Sequence, residues 1–124
     1  MEQKFYKCKH CGQIVAIVKK TGVPVVCCGE RMEELVPGTV DASLEKHVPV
    51  YRVENNVVYV NIGAIEHPMI QEHYIEWVSI QTKQGNQRKI LTPNSKPVVS
   101  FAISEGDEVE AVYAYCNLHG LWKA

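Results

Sequence analysis

Val50-Tyr51-Arg52-Val53-Glu54-Asn55-Asn56-Val57-Val58-Tyr59-Val60-Asn61-Ile62 is the stretch that decides the fold. Two runs rich in β-branched and aromatic residues, Val50–Val53 and Val57–Ile62, flank Glu54-Asn55-Asn56. Asparagine tolerates the left-handed backbone of a tight turn, so the segment predicts an antiparallel hairpin. Working outward, the same texture returns at Tyr74–Gln81, Gln87–Leu91, Val98–Ile103 and Val109–Tyr115, with turns at Gln84-Gly85-Asn86 and Ser104-Glu105-Gly106-Asp107. Short strands at that spacing favour an antiparallel sandwich over βαβ units. In the last strand, strict alternation puts Val109, Ala111, Tyr113 and Tyr115 on one face and Glu110, Val112, Ala114 and Cys116 on the other.

Upstream, the texture changes. Residues 1–36 carry Phe5, Tyr6, the run Ile14–Val18, Val23, Val25 and Val26, broken at Thr21-Gly22 and at paired cysteines. Below about 40 residues a domain usually needs a metal or a disulfide to fold. Pro37-Gly38 marks a turn or linker. The expected organisation is a metal-stapled unit over 1–36, a linker over 37–43 and a β domain over 44–124.

Composition narrows the function classes. Of 124 residues, 46% are hydrophobic and 22% charged, an ordinary globular balance. The net charge is -1 with lysine and arginine scattered, which gives nucleic-acid binding no electrostatic support. No apolar run reaches the roughly 18 residues of a membrane span. Met1-Glu2-Gln3-Lys4 opens no signal-peptide pattern, so the expected location is cytoplasmic. Five cysteines would leave one thiol over in an all-disulfide scheme, and their grouping, four by residue 28 and one at Cys116, points to two metal sites.

The first group is Cys8-Lys9-His10-Cys11-Gly12 followed by Cys27-Cys28-Gly29. C-x-x-C lets two thiolates face one ion, and the glycine behind it accepts the positive φ of such a turn. On a straight strand Cys27 and Cys28 would point to opposite faces, so both reach one ion only if the chain bends, which Gly29 permits. Four thiolates suit zinc or iron, and spacing does not choose between them. His10 is expected off the metal, since four thiolates complete a tetrahedron.

The second group is His47, His67, His73, Cys116 and His119. Cys116-Asn117-Leu118-His119 is a C-x-x-H pair directly after a predicted strand, and the others sit at strand ends and loops. Taken singly, each histidine is ordinarily a surface or satisfied core residue, and a lone cysteine a small buried hydrophobe. Together they read as a metal site whose ligand set the spacing leaves open. Tyr74, Trp77, Tyr113, Tyr115 and Trp122 read as core and site shielding.

The ordered motifs C-x-x-C, C-C, E-K-H-V-P, H-P, E-H-Y-I-x-W and C-N-x-H-G cover nearly the whole chain. In that order and spacing they resemble desulfoferrodoxin, the two-iron class of superoxide reductase. The resemblance implies a desulforedoxin-like N-terminal domain with one iron on Cys8, Cys11, Cys27 and Cys28, and an immunoglobulin-like catalytic sandwich. There it implies a second, non-haem iron with His47, His67, His73 and His119 around an equator and Cys116 axial. Five donors leave one position of an octahedron open for a small oxidant, where structural zinc is satisfied with four. Lys46 is implied to attract superoxide and order a proton-donating water, and Glu45 to play a secondary part at the open position. On sequence alone the two are an ordinary solvated loop pair. The resemblance further implies one-electron reduction of superoxide to hydrogen peroxide, a rubredoxin-like external electron donor and a homodimer. A non-catalytic electron carrier and a zinc-ribbon-like interaction module are the competing classes; the C-C pair and the lack of a basic patch disfavour the second.

Overall fold

The computed structural model describes residues 2–124, which divide into two compact units, one ending at Val36 and one spanning Pro37–Ala124. No helix among the described residues is long and apolar enough to cross a membrane.

The N-terminal unit is built from very short strands: β1 (Phe5–Lys7), β2 (Ile14–Ala16), β3 (Val26–Cys27), β4 (Glu30–Arg31) and β5 (Glu33–Glu34). β1 pairs with β2 and β5, while β3 and β4 form a separate hairpin. Its buried apolar residues are Phe5, Cys8 and Met32, so little apolar surface leaves water. A unit of this size cannot offset its chain entropy on that basis, and the cysteine cluster must supply the rest.

The second unit contains one helical turn, α1 (Leu44–His47), and seven strands: β6 (Pro49–Glu54), β7 (Val57–Ile62), β8 (Ile75–Thr82), β9 (Gly85–Ile90), β10 (Val98–Ala102), β11 (Val109–Cys116) and β12 (Gly120–Lys123). They form two antiparallel sheets, ordered β10-β7-β6 and β12-β11-β8-β9. This is a mainly β, immunoglobulin-like sandwich, preceded in the sequence by a small cysteine-bearing unit. The β6–β7 turn is Asn55-Asn56 with φ of 50° and 61°, the signature of a type I′ hairpin. β7 alternates cleanly, with Val58, Val60 and Ile62 buried and Tyr59 and Asn61 exposed. Ile75, Val78 and Ile80 of β8, Phe101 of β10, and Val112, Ala114 and Cys116 of β11 complete the core. Each fully buried Val or Ile contributes about 1.5–3 kcal/mol.

Three local expectations are corrected. Turn Gln84-Gly85-Asn86 sits one residue earlier, at Lys83-Gln84, because Gly85 already pairs with Thr82. In β11 the alternation breaks at Glu110: Val109 pairs with Thr82 and Ala111 with Gln81, so a bulge returns Val109 to the core face of Val112 and Ala114. A further strand, β12, follows His119; its Gly120 pairs with Cys116 across the three-residue loop Asn117-Leu118-His119. Gly120, the paired residue on which that loop closes, has φ of 77°, a left-handed backbone that glycine adopts at no steric cost. The segment after Val36 is tied to β12, since Gly38 N donates to Leu121 O at 2.9 Å.

Register brings four chain ends to one end of the sandwich. Pro49 at the start of β6 faces Ile62 at the end of β7, and Ile75 at the start of β8 faces Cys116 near the end of β11. The loops leaving these positions carry every histidine of the second group.

Candidate metal centres

The four N-terminal thiols meet in one cluster, with sulfurs within 4.8 Å of one another. Cys8 N donates to Gln13 O and Gly12 N to Cys8 O, closing the C-x-x-C loop. Cys28 and Gly29 both have positive φ, 52° and 75°, between paired Cys27 and Glu30. The C-C bend is thus a two-residue I′ hairpin that swings the second sulfur round to the first. Cys11 and Cys27 Sγ lie 3.7 Å apart and Cys27 and Cys28 Sγ 3.9 Å apart. A tetrahedron with metal–sulfur bonds of about 2.3 Å has edges of about 3.8 Å, whereas a disulfide needs about 2.05 Å. The spacing fits four thiolates on one ion.

Electrostatics say the same. The Cys11 N–H, followed by that of His10, holds the Cys8 thiol down at about 6, while the thiols of Cys11 and Cys8 push Cys27 up to about 12. Packed thiols cannot all ionise unless a cation joins them. His10 is turned away, its Nε2 3.6 Å from Glu30, which also binds Lys9 Nζ at 2.7 Å.

In the second unit the imidazoles of His47, His67, His73 and His119 form a ring. Neighbouring centroids lie 4.7, 4.7, 5.0 and 4.9 Å apart in that cyclic order, each pair nearly perpendicular, and the His47–His73 diagonal is 6.3 Å. His47 Nε2 is 3.2 Å from His67 Nε2 and 3.0 Å from His119 Nδ1. The ligand atoms of His47, His67, His73 and Cys116 lie within 4.8 Å of one another, and Cys116 Sγ is 3.8 Å from His119 Nδ1.

The outer nitrogens fix the tautomers. His47 Nδ1 donates to Ser43 O at 2.6 Å and His67 Nδ1 to Pro68 O at 2.7 Å, since a carbonyl can only accept. Their Nε2 atoms therefore carry bare lone pairs, which face each other at 3.2 Å. Two lone pairs at that distance repel unless a cation lies between them. His73 Nε2 is buried with no hydrogen-bond partner, an orphan of the kind a metal resolves. Burial, chiefly, holds His47, His67 and His73 below the usual histidine range, His67 at about 4, so all three are neutral ligands. Cys116 is fully buried and its thiol is raised by that burial, partly countered by the His119 and Leu118 N–H groups. A thiolate there needs a cation beside it.

Local structure explains how each donor arrives. α1 projects His47 inward while leaving Glu45 and Lys46 exposed. The 63–67 loop crosses over it, with Ile65 N donating to Glu45 O at 2.9 Å and His67 N to Ile62 O at 2.9 Å. A Cβ on Gly63 would stand 2.6 Å from Glu45 O, so only glycine allows the crossing. Trp122 Nε1 donates to His119 O at 3.1 Å. The charge of Lys46 reaches the site, being among the causes that lower both His47 and His73. Gly63 carried no sequence signal; Trp122 reads as core and also braces the site.

Comparison with known proteins agrees with this geometry. The desulfoferrodoxin family model matches residues 39–124, and that of the desulfoferrodoxin N-terminal domain matches residues 1–35. A desulfoferrodoxin of Nitratidesulfovibrio vulgaris is 42% identical over 123 residues, 99% of this chain and 96% of that protein. A desulfoferrodoxin homolog of Archaeoglobus fulgidus is 44% identical over 119 residues, 96% of this chain and 94% of the relative. The crystal structure of the superoxide reductase from Treponema pallidum superposes with a TM-score of 0.85 at 38% identity, covering 100% of this chain and 99% of that one. With both family models matched along its length and both thiol and imidazole clusters formed, the chain belongs to the desulfoferrodoxin family.

Proposed function

We propose that this chain is a superoxide reductase, with iron in the four-cysteine cluster and iron held by His47, His67, His73, His119 and Cys116. The observation that carries the reading is the facing of the neutral His47 and His67 lone pairs in a cluster with His73 and a buried cysteine sulfur. Five donors exceed the four of structural zinc. Bound there, iron supplies the one electron that, with two protons, converts superoxide to hydrogen peroxide.

The chain's own residues do the rest. Ser43 O and Pro68 O keep the His47 and His67 rings oriented with Nε2 inward. Cys116 contributes the one anionic donor, shielded from water by the sandwich core. Exposed Lys46 attracts the superoxide anion and orders a water that delivers a proton, and Glu45 plays a secondary part beside it. The influence of Lys46 on His47 and His73 supports this assignment.

Residues 1–36 form the four-cysteine domain, 37–43 the linker and 44–124 the catalytic domain. A rubredoxin-like carrier delivers the electron. Leu44, Ile65, Ile70 and Leu118 support docking near the site, since each lies within three residues of a clustered histidine and is at least half exposed. The protein works as a cytoplasmic homodimer. Exposed Val18, Val23 and Val26 in the N-terminal unit support self-association, and five unpaired cysteines fit a reducing compartment.

Metal analysis and turnover test the proposal. Two irons per chain and superoxide consumption sustained only with a reduced carrier are expected; zinc at both sites would overturn it. Cys116→Ser should abolish consumption while leaving the four-cysteine spectrum intact, and Cys8→Ser should do the reverse.

A further inference from the structure

The imidazoles are not all secured alike. His47 and His67 each donate a ring N–H to a backbone carbonyl, but His73 Nε2 is buried without a hydrogen-bond partner among the described residues. Its backbone is held by an isolated bridge to Ile70, N to O at 3.1 Å in both directions. Beyond that bridge, the backbone on either side of His73 is held by one side chain. Asn117 Oδ1 accepts from Tyr74 N at 2.9 Å, and Asn117 Nδ2 donates to Glu72 O at 3.0 Å. Asn117 N donates to Tyr74 O at 3.2 Å.

The reason for this contact lies in the sheet. Between Tyr115 and Cys116 the β8–β11 register slips, with Cys116 opposite Ile75 rather than Glu76. The regular ladder ends there, and Tyr74 N–H would lose its partner. The Asn117 carboxamide takes over that pairing and reaches past His73 to the other side. Only a group with both an acceptor and a donor on one planar head satisfies both contacts. Asn117 is bonded in sequence to Cys116 and lies two residues before His119.

We infer that Asn117 is a positioning residue whose carboxamide clamps the Glu72–Tyr74 segment to the Cys116–His119 loop, fixing His73 relative to Cys116 and His119 and so setting the metal affinity of the histidine site. This rests on the reading of that cluster as a metal centre. Removing such an outer contact typically weakens metal binding by about ten- to a hundredfold.

The test is Co(II) titration of the full chain, followed by the thiolate-to-cobalt absorption of each site. Asn117→Ala should bind Co(II) at the histidine site about ten- to a hundredfold more weakly, with the four-cysteine site unchanged as internal reference. The rise in Tm that Co(II) produces should shrink, because that gap follows affinity for the folded state. If Asn117→Ala does not fold, isosteric Asn117→Asp carries the same test. It keeps the Tyr74 contact but sets an oxygen against Glu72 O, and should also bind Co(II) more weakly than the parent. Unchanged affinity at the histidine site, or equal falls in Tm with and without Co(II), would overturn the inference. Superoxide turnover by the parent protein separates the two readings. A parent without turnover whose variants still lose Co(II) affinity removes the reductase and leaves the role of Asn117 standing.

Discussion

The indole of Trp122 lies 4.9 Å from the imidazole of His47, ring centroid to ring centroid, tilted by 33°. The same indole donates to the backbone carbonyl of His119. One buried side chain from β12 therefore braces two adjacent corners of the histidine ring. Trp122→Phe keeps a smaller aromatic ring against His47 but removes the N–H and part of the buried indole, so the metal-free protein should lose about 1–2 kcal/mol. Trp122→Ala removes the whole brace and should cost about 3–5 kcal/mol. Urea unfolding of the two variants measures the difference; equal losses would mean that the ring kept in the Phe variant adds nothing to stability.

Gly63 makes a sharper case. A methyl there meets the Glu45 carbonyl oxygen at 2.6 Å and the Lys46 carbonyl carbon at 2.8 Å, both backbone. Backbone cannot swing aside as a flexible side chain does, so α1 must move, and His47 moves with it. Gly63→Ala should destabilise the fold by about 1–3 kcal/mol and weaken metal uptake at the histidine site, with the four-cysteine site unaffected. Thermal unfolding and metal stoichiometry check the pair of outcomes.

The pH dependence of the metal-free protein follows from the buried imidazoles. His67 is held at about 4 against an ordinary value of 6.5, with burial the largest cause. Above 6.5 the ring is neutral in both folded and unfolded chains, and its full contribution is present. Between 6.5 and about 4 the unfolded chain takes up a proton that the folded one refuses, so stability falls as pH falls. The loss from His67 alone is on the order of 3 kcal/mol. His47 and His73 shift in the same direction and add to it. Unfolding free energies measured from pH 8 to pH 4 should decline through this window, and His67→Gln should flatten the decline.

How much of this was legible in the sequence depends on the range of the interaction. The Val50–Ile62 hairpin and the strand spacing are local patterns, and the structure has them. The slip at Glu110 was not legible, because a bulge depends on which partner β8 offers. β12 was missed although Cys116-Asn117-Leu118-His119-Gly120 carries a signal for it: a three-residue loop closed by glycine is itself a hairpin turn. Metal-ligand chemistry was legible in residue types. The facing lone pairs of His47 and His67 were not, since they depend on the carbonyls of Ser43 and Pro68. Gly63 was invisible for the same reason; its need arises from a crossing with α1.

Lys46 offers the most direct probe of how the substrate approaches. Lys46 is exposed beside His47 in the chain, and its charge is felt at His47 and His73. In the proposed role Lys46 draws the anion toward the site, and local fields of this kind raise encounter rates by about tenfold or more. Lys46→Ala should therefore lower the second-order rate with superoxide about tenfold at low ionic strength, with metal content unchanged. Salt should slow the parent and affect the variant much less, since the Debye length is about 10 Å at 0.1 M. Lys46→Arg restores the charge and should recover the encounter rate. Pulse-radiolysis kinetics across a salt series read all three, and an undiminished low-salt rate in Lys46→Ala would remove Lys46 from substrate capture.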